Sequence, residues 1–157
     1  MKERIEYRKV SPEAYKAMQG IETYVRASGI EHSLLELVKT RVSQINGCAY
    51  CLDMHTKEAR AANETEQRLY LLPAWREAPF YSERERAALA WAEALTRIST
   101  EDVSDELYAD VRRHFDEKTL VDLTLAIVGI NGWNRLAISF RSQAGNYQPK
   151  AANASLR

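Results

Sequence analysis

The stretch NGCAYCLDMH, residues 46–55, holds both cysteines of this 157-residue chain and one of its three histidines. Gly47 interrupts the chain just ahead of the cysteines, so a helix is expected to begin there. On that helix, at about 100° per residue, Cys48, Cys51 and His55 lie within one narrow arc that also carries apolar residues. An apolar arc faces protein rather than water, so the three reactive groups are expected to lie inside the fold.

Helical periodicity and capping signals continue along most of the chain, whereas the alternation that is typical of strands is nearly absent. Ser82 and Glu85 have the spacing of a capping box at the start of a strongly amphipathic helix. The sequence therefore predicts an all-α protein, a compact helical bundle in which residues 1–157 form a single domain. The other helices are predicted at about residues 12–27, 31–45, 48–63, 65–72, 104–114 and 118–141. Residues 1–10 are expected to be extended and the polar tail, residues 145–157, to be disordered.

Charge and composition argue against several functions. The chain has 22 basic and 22 acidic residues and no basic patch interleaved with aromatic residues, so it lacks the electrostatic footprint of a nucleic-acid-binding protein. Its first residues, MKERIE, are charged and do not resemble a secretion signal. The longest apolar run, residues 120–130, is too short for a membrane span and contains Asp122. We therefore expect a cytoplasmic protein without nucleic-acid or membrane partners.

The last predicted helix is apolar on nearly all of its sides between Leu120 and Ile130. A helix of this kind is surrounded by protein, which a chain of this length achieves with difficulty. Gly129 and Gly132 would allow another backbone to approach closely. We expect a homo-oligomer whose interface includes this helix, although a central core helix of the monomer fits the periodicity equally well.

The CxxC pair formed by Cys48 and Cys51 is expected to be redox-active. Residues three apart on a helix are separated by about 5–6 Å at Cβ, and the first turn can relax to the roughly 3.5–4.5 Å that a disulfide needs. The positive end of the helix dipole favours the thiolate, which is the nucleophile. His55 lies four residues from Cys51, which predicts Cys51 as the attacking thiol and Cys48 as the resolving thiol. Analogy with thioredoxin-type motifs would reverse this order.

Three other interpretations compete with the redox dithiol. A structural zinc site could use Cys48, Cys51, His55 and one acidic residue, but such sites usually draw on a second cysteine pair and the chain has no other cysteine. A permanent disulfide is unexpected in a cytoplasmic chain and would stabilise little at this spacing. Buried inert cysteines are the third interpretation, and the presence of both in one motif argues against it. We favour the redox dithiol.

The spacing of Glu36, the segment Cys48-Ala49-Tyr50-Cys51 and His55 resembles the core motif of the alkylhydroperoxidase D (AhpD)-like proteins of the carboxymuconolactone decarboxylase superfamily. The similarity extends over about residues 12–142. It implies an all-α fold of the AhpD-like type, a homo-trimer or homo-hexamer, and peroxidase or disulfide-reductase activity without metal, haem or other cofactor. The implied partners are a hydroperoxide and a dithiol reductant.

The resemblance also assigns roles to four residues. Cys51 would attack the peroxide and pass through a sulfenic acid. Cys48 would act as a proton donor and then close the disulfide, while Glu36 and His55 would form a proton relay. In the best-studied kind of member a histidine precedes the second cysteine. Here Tyr50 occupies that place, on the far side of the helix from His55.

The predicted helix that carries Glu36 does not by itself indicate a functional role for this residue. It lies opposite the apolar face formed by Leu34, Leu35, Val38 and Ile45, where an ordinary solvated glutamate is expected. A relay role requires the cysteine helix to pack on this polar side, which would bury the Glu36 carboxyl and shift its pKa.

Other histidines and polar residues carry weaker signals. His32 and His114 have charged neighbours and are expected to be exposed, and Asn134 and Arg135 could bind an anion or an interface carboxylate. Two further functional classes remain open. One is a lyase like carboxymuconolactone decarboxylase, whose relatives work without a CxxC pair. The other is a non-enzymatic redox sensor or a zinc-stabilised oligomer.

Overall fold

The computed structural model describes residues 2–149, and within this range the chain folds into eight α-helices and no strand. The predicted all-α helical bundle is therefore confirmed. The helices are α1 (Tyr7–Val10), α2 (Pro12–Ala27), α3 (His32–Asn46), α4 (Ala49–Ala61), α5 (Glu66–Leu71), α6 (Glu83–Thr96), α7 (Asp105–Arg112) and α8 (Glu117–Phe140), with a 3₁₀ turn at Leu72–Ala74 after α5.

The helix boundaries follow the local signals in the sequence. Ser82 and Glu85 form both hydrogen bonds of the predicted capping box at the start of α6. Gly47 ends α3 in the left-handed conformation, with φ of 68°, which a residue without Cβ adopts at little cost. Most boundaries differ from the expectation by one or two residues, and α4 begins at Ala49 with Cys48 as its N-cap. The turn at Gly47 therefore sets the direction in which the cysteine helix leaves α3.

The N-terminal segment differs from the expectation of an extended chain. Residues 7–10 form the short helix α1, and Tyr7 is buried with its ring centroid 5.7 Å from that of Phe140 at the end of α8. The backbone N–H of Arg4 also donates a hydrogen bond to the Phe140 carbonyl at 2.9 Å. These contacts fasten the N-terminal segment to the end of α8.

The C-terminal segment also differs from the expectation where it can be described. Residues 145–149, which were expected to be disordered, pack against α4. The backbone N–H of Gly145 donates a hydrogen bond to Asp53 at 2.9 Å, and the Lys57 ammonium donates to the carbonyl of Tyr147 at 3.0 Å. The rest of the predicted disordered tail, residues 150–157, lies outside the described part of the chain.

α3 lies at the centre of the bundle and packs against α4, α6 and α8. Its apolar side is buried as predicted, and Val38 and Val42 have no exposed surface. Its polar side is buried as well, because Glu36 and Lys39 are only 1% and 2% exposed. Buried charges require charged or hydrogen-bonded partners, so the polar side of α3 marks a place to look for a functional site.

α8 packs against α2, α3, α4, α6 and α7, and its residues Leu123, Ile127 and Ile130 are buried within one chain. Val121 and Val128 nevertheless remain 67% and 53% exposed on one side of the helix. A single chain thus covers most of α8 and leaves an apolar strip open. Within residues 2–149, no helix combines the length and the hydrophobicity needed to cross a bilayer.

We expect Gly47→Ala to lower the free energy of unfolding by about 1 kcal/mol. The fold holds residue 47 in the left-handed conformation, which a residue with a Cβ atom disfavours. The space around Gly47 is open, so the cost is conformational rather than steric. Gly20→Ala is the matched control, since Gly20 lies exposed within α2 with open space around it. That change should stabilise the protein by about 1 kcal/mol. Urea unfolding measures both, and equal effects in the two variants would contradict the assignment.

Candidate active site

Both cysteines are free thiols at the start of α4, and each is 1% exposed. Cys48 occupies the N-cap position, where its Sγ accepts a hydrogen bond from the backbone N–H of Cys51 at 3.4 Å. Unpaired N–H groups and the helix dipole favour negative charge at this position. The local structure therefore stabilises a thiolate at the N-cap rather than at both sulfurs equally.

The two thiols also form a hydrogen bond with each other, and it separates their acidities. Accepting this hydrogen bond from Cys51 lowers the pKa of the Cys48 thiol below its ordinary value, and the backbone N–H groups of Cys51 and Tyr50 act in the same direction. Donating the hydrogen bond raises the pKa of Cys51 well above its ordinary value, and burial and the charge on Cys48 add to this effect. Cys48 is therefore the more acidic of the two thiols, whereas the spacing of the sequence predicts Cys51 as the activated sulfur.

Asn134 on α8 approaches the dithiol from a neighbouring helix. Its side chain hydrogen-bonds to both thiols and is 1% exposed. Its amide donates to the Ser43 hydroxyl at 3.1 Å and accepts from the Asn46 amide at 2.8 Å. From the sequence, Asn134 is a candidate only for binding an anion or an interface carboxylate. Its actual position follows from the packing of α8 against α3 and α4, which no local pattern shows.

Glu36 and His55 meet at the interface of α3 and α4. His55 Nδ1 lies 2.7 Å from Glu36 Oε2, and both side chains are buried. Burial by itself would raise the pKa of the Glu36 carboxyl, but the hydrogen bond and charge of His55, with the charges of Lys39 and His32, hold the pKa below its ordinary value. The cysteine helix thus packs on the polar side of α3, the arrangement that a relay role for Glu36 requires.

Lys39 is a buried cation that was not predicted from the sequence. It is 2% exposed, and its ammonium donates a hydrogen bond to Glu22 of α2 at 2.5 Å. Lys39 lies three residues after Glu36 and so on the same side of α3, which is the signal that could have indicated it. The positive charge of Lys39 favours the ionised form of Glu36, so Glu36 is held as a carboxylate in its pair with His55.

A cavity of about 530 Å³ opens beside the dithiol. Cys51 and His55 line it, so the second cysteine and its neighbouring imidazole face the same space. Its walls are otherwise aromatic and charged, with contributions from α1, α2, α4, α8 and the C-terminal segment. The aromatic lining residues are Tyr7, Tyr15, Tyr50, Trp133 and Tyr147, and the charged ones are Arg8, Glu22, Arg26 and Glu58. This volume and lining are typical of a site for a small organic molecule.

The two sulfurs face different spaces. Cys51 lines the large cavity, whereas Cys48 lines a separate pocket of about 370 Å³ near the end of α8, which includes Arg141. Acidity favours a charge on Cys48, and access from the large cavity favours reaction at Cys51. The two criteria therefore select different members of the pair.

Tyr50 lies in the wall of the large cavity together with His55. Its hydroxyl accepts a hydrogen bond from Arg8 of α1 at 2.6 Å. The helical wheel predicts Tyr50 on the far side of α4 from His55. In the structure α1 folds back over the start of α4, and Tyr50 and His55 line the same cavity. The sequence could not show this contact, because α1 itself was not predicted.

The remaining histidines lie away from the dithiol motif. The side chain of His32 is 48% exposed and lies 3.9 Å from Glu36 at its nearest approach, while His114 is half-buried near α7. Among the residues that the structure describes, no group of three or more His, Cys, Asp and Glu side chains has an arrangement suited to a metal ion.

These features define a class, an all-α bundle that buries a CxxC dithiol beside a hydrogen-bonded histidine and glutamate. The sequence model of the carboxymuconolactone decarboxylase family matches residues 12–94. The chain belongs to the carboxymuconolactone decarboxylase family, and it is an AhpD-like member of that superfamily.

Several relatives support this assignment. The chain is 49% identical over 146 residues to the uncharacterized protein YdfG of Bacillus subtilis, covering 93% of this chain and 99% of YdfG. A crystal structure of a protein of unknown function from Agrobacterium tumefaciens, proposed to be the antioxidant defence protein AhpD, superposes with a TM-score of 0.89 at 47% identity. It covers 93% of this chain and all of that one.

The debrominase Bmp8 is a more distant structural neighbour. It superposes with a TM-score of 0.77 at 23% identity, covering 88% of this chain and 74% of Bmp8, which shows a shared fold alone. Members of the family are enzymes, and the debrominase shows that this fold serves more than one reaction.

We expect Glu36→Gln to lower the free energy of unfolding at pH 7 by about 2 kcal/mol, because a buried ionic hydrogen bond to His55 is replaced by a neutral one. The folded pKa of Glu36 lies below its ordinary value of 4.5, so its stabilisation is present above about pH 4.5 and is lost as the pH falls through the folded pKa. The difference between wild type and variant should therefore shrink below pH 4.5.

Urea unfolding at pH 7 and at several lower pH values measures this effect. Glu77→Gln, which changes an exposed carboxylate, is the matched control and should cost less than about 0.5 kcal/mol at every pH. A Glu36→Gln deficit that stays constant down to pH 3 would contradict the assignment of a lowered pKa.

Proposed function

We propose that this protein is a thiol peroxidase, or thiol–disulfide oxidoreductase, that reduces organic hydroperoxides with the dithiol of Cys48 and Cys51. The observation that carries the proposal is the position of Cys51, which lines the large cavity together with His55. Cys51 also belongs to a pair of thiols whose pKa values are shifted in opposite directions. A cysteine pair with a purely structural role would not require an adjacent cavity large enough for an organic molecule, or a buried imidazole–carboxylate pair.

The reaction begins with a proton transfer inside the pair. The Cys48 thiolate takes the proton of the Cys51 thiol, which leaves the Cys51 thiolate facing the cavity. The Cys51 sulfur then attacks the terminal peroxide oxygen of ROOH, the O–O bond breaks, and the Cys48 thiol or the imidazolium of His55 gives its proton to the departing RO⁻. The products are ROH and the sulfenic acid of Cys51, so the sulfur has supplied two electrons.

Disulfide closure completes the oxidation. The Cys48 thiolate attacks the Cys51 sulfur and displaces hydroxide, which takes a proton and leaves as water. A dithiol reductant restores the pair by two thiol–disulfide exchanges and becomes a disulfide itself. The net change is ROOH plus a dithiol giving ROH, water and a disulfide.

His55 exchanges protons in this sequence of steps, and the Glu36 carboxylate orients it. The contact of Nδ1 with the Glu36 carboxylate fixes the imidazole, leaving Nε2 to exchange protons. A general acid or base of this kind contributes about 10²–10⁴-fold to a rate. Asn134 orients both sulfurs through its hydrogen bonds without exchanging protons itself.

Wild-type protein should lose both thiols per chain when one equivalent of cumene hydroperoxide is added, as measured by titration with a thiol reagent under denaturing conditions. Loss of no thiol would contradict the enzyme proposal. Stoichiometric zinc in the purified protein would favour a zinc-stabilised oligomer. A decarboxylase reaction that proceeds unchanged in Cys48→Ser would favour the lyase.

The two single cysteine variants test which sulfur attacks the peroxide, the one that faces the large cavity or the more acidic one. With hydroperoxide and a sulfenic-acid trap such as dimedone, Cys48→Ser should be labelled at Cys51, whereas Cys51→Ser should show little labelling at Cys48. Peptide mass spectrometry gives the site. Labelling confined to Cys51→Ser would reverse the assignment and make Cys48 the attacking sulfur.

We also propose that the chain works as a homo-trimer or homo-hexamer in the cytoplasm, where a dithiol partner stays reduced. The support for assembly is the strip of α8 that carries Val121 and Val128, two exposed valines seven residues apart on one side of a helix. A second copy of the chain would cover this strip and add to the burial of α8.

Val128→Glu should therefore dissociate the assembly, with a fall in mass by sedimentation velocity and unchanged helical content by circular dichroism. Tyr70→Ser is the control, because Tyr70 is 68% exposed on α5, away from α8. A wild-type protein that sediments as a monomer at micromolar concentration would refute the assembly.

A further inference from the structure

The large cavity beside Cys51 contains one arginine that stands apart from the other charged groups in its wall. Arg8 forms no ion pair with any carboxylate in the part of the chain that the structure describes, residues 2–149. By contrast, Arg26 in the same wall pairs with Glu22 at 3.0 Å. An unneutralised guanidinium facing a cavity is a ready partner for an anion.

Aromatic groups hold Arg8 in place. Its guanidinium donates a hydrogen bond to the Tyr50 hydroxyl at 2.6 Å and lies 5.9, 5.4 and 5.7 Å from the ring centroids of Tyr7, Tyr15 and Tyr50. Cation–π contacts of this kind orient a guanidinium without neutralising it. Because the group carries five N–H donors, these contacts leave donors for a second, bidentate partner.

The acidic groups in the cavity wall do not compete for Arg8. Glu22 is already engaged by Lys39 and Arg26, and Glu58 accepts a hydrogen bond from the Tyr147 hydroxyl. The side of the cavity near Arg8 therefore presents a positive charge framed by aromatic rings. Trp133, whose ring lies 5.5 Å from that of Tyr15, continues the aromatic surface.

We propose that Arg8 is a specificity-determining residue that selects hydroperoxides carrying a carboxylate on an aromatic or similarly apolar body. The proposal rests on the function proposed above and names the substrate class of the same site. The carboxylate would pair with Arg8, the apolar body would lie against Tyr15 and Trp133, and the hydroperoxide would face Cys51. The reaction at sulfur is the one already written, because the carboxylate takes no part in bond making or breaking.

The size of the cavity favours an organic substrate over hydrogen peroxide. A volume of about 530 Å³ accommodates a substituted benzene ring with two polar ends, whereas a molecule of four atoms would leave most of the aromatic surface unused. Arg8 also belongs to α1, outside residues 12–94 that match the family model. The selectivity is therefore assigned to a segment that the family pattern does not include.

The test compares two hydroperoxides that differ in one group, 4-(2-hydroperoxypropan-2-yl)benzoate and neutral cumene hydroperoxide. The second-order rate constant of thiol loss should be at least tenfold higher for the carboxylate in the wild type. Arg8→Met should lower the rate constant for the carboxylate by about 30-fold, the size expected for losing one charge-assisted hydrogen-bonded pair, and that for cumene hydroperoxide by less than threefold.

Two further variants make the comparison specific. Arg8→Lys keeps the charge without the bidentate fork and should fall between wild type and Arg8→Met. Lys9→Met removes the neighbouring positive charge, which is exposed, pairs with Glu6 and does not line the cavity, and should leave the ratio of the two rate constants unchanged. A role of Arg8 in folding alone would lower both rate constants by the same factor.

Calorimetric titration with two unreactive probes, 4-isopropylbenzoate and 4-isopropylbenzamide, separates this inference from the peroxidase proposal. Benzoate binding that is lost in Arg8→Met supports the anion site even when no hydroperoxide oxidises the thiols, an outcome that would overturn only the peroxidase. Equal rate constants for the two hydroperoxides, together with equal binding of the two probes, would overturn the role of Arg8 and leave the peroxidase standing.

Discussion

The hydrogen bond between Glu36 and His55 is the constraint on which the site depends. A carboxylate that is 1% exposed costs several kcal/mol unless it is paired, and its nearest partner comes from a different helix. α4 must therefore pack on the polar side of α3, and His55 must lie one turn after Cys51. This requirement fixes the rotation of α4 and with it the direction in which Cys51 faces.

α3 joins the core to the site because both of its sides are buried. Its apolar side packs against α6 and α8, while its polar side carries Glu36, Lys39 and Ser43 toward the site. Each of the two charges has a partner on another helix, His55 on α4 and Glu22 on α2. A buried polar network is costly when incomplete, so it specifies one arrangement of the three helices and stiffens the wall behind the dithiol.

The sequence was sufficient wherever the signal is local. The capping box at Ser82, the turn at Gly47 and the periodicity of the long helices predicted the all-α bundle, and the CxxC spacing located the dithiol. What could not be predicted depends on how helices pack. A helical wheel shows that Glu36 is opposite an apolar face but not that a second helix covers it, and the contact between Arg8 and Tyr50 requires α1 to fold back over α4.

Under the proposed function, the division of acidity and access between the two sulfurs would keep the buried dithiol protected until a substrate is bound. A thiolate that faced the large cavity permanently would be open to any oxidant that entered. The more acidic thiol, Cys48, lies at the N-cap and lines another pocket, whereas the pKa of Cys51, which faces the large cavity, is raised. In the reaction proposed above, a proton must move from Cys51 to Cys48 before Cys51 attacks. A hydroperoxide that stays bound beside Cys51 would therefore have more time to react than one that only passes through the cavity. Residues that retain the substrate, rather than the acidity of the sulfur alone, would thus set which peroxides react.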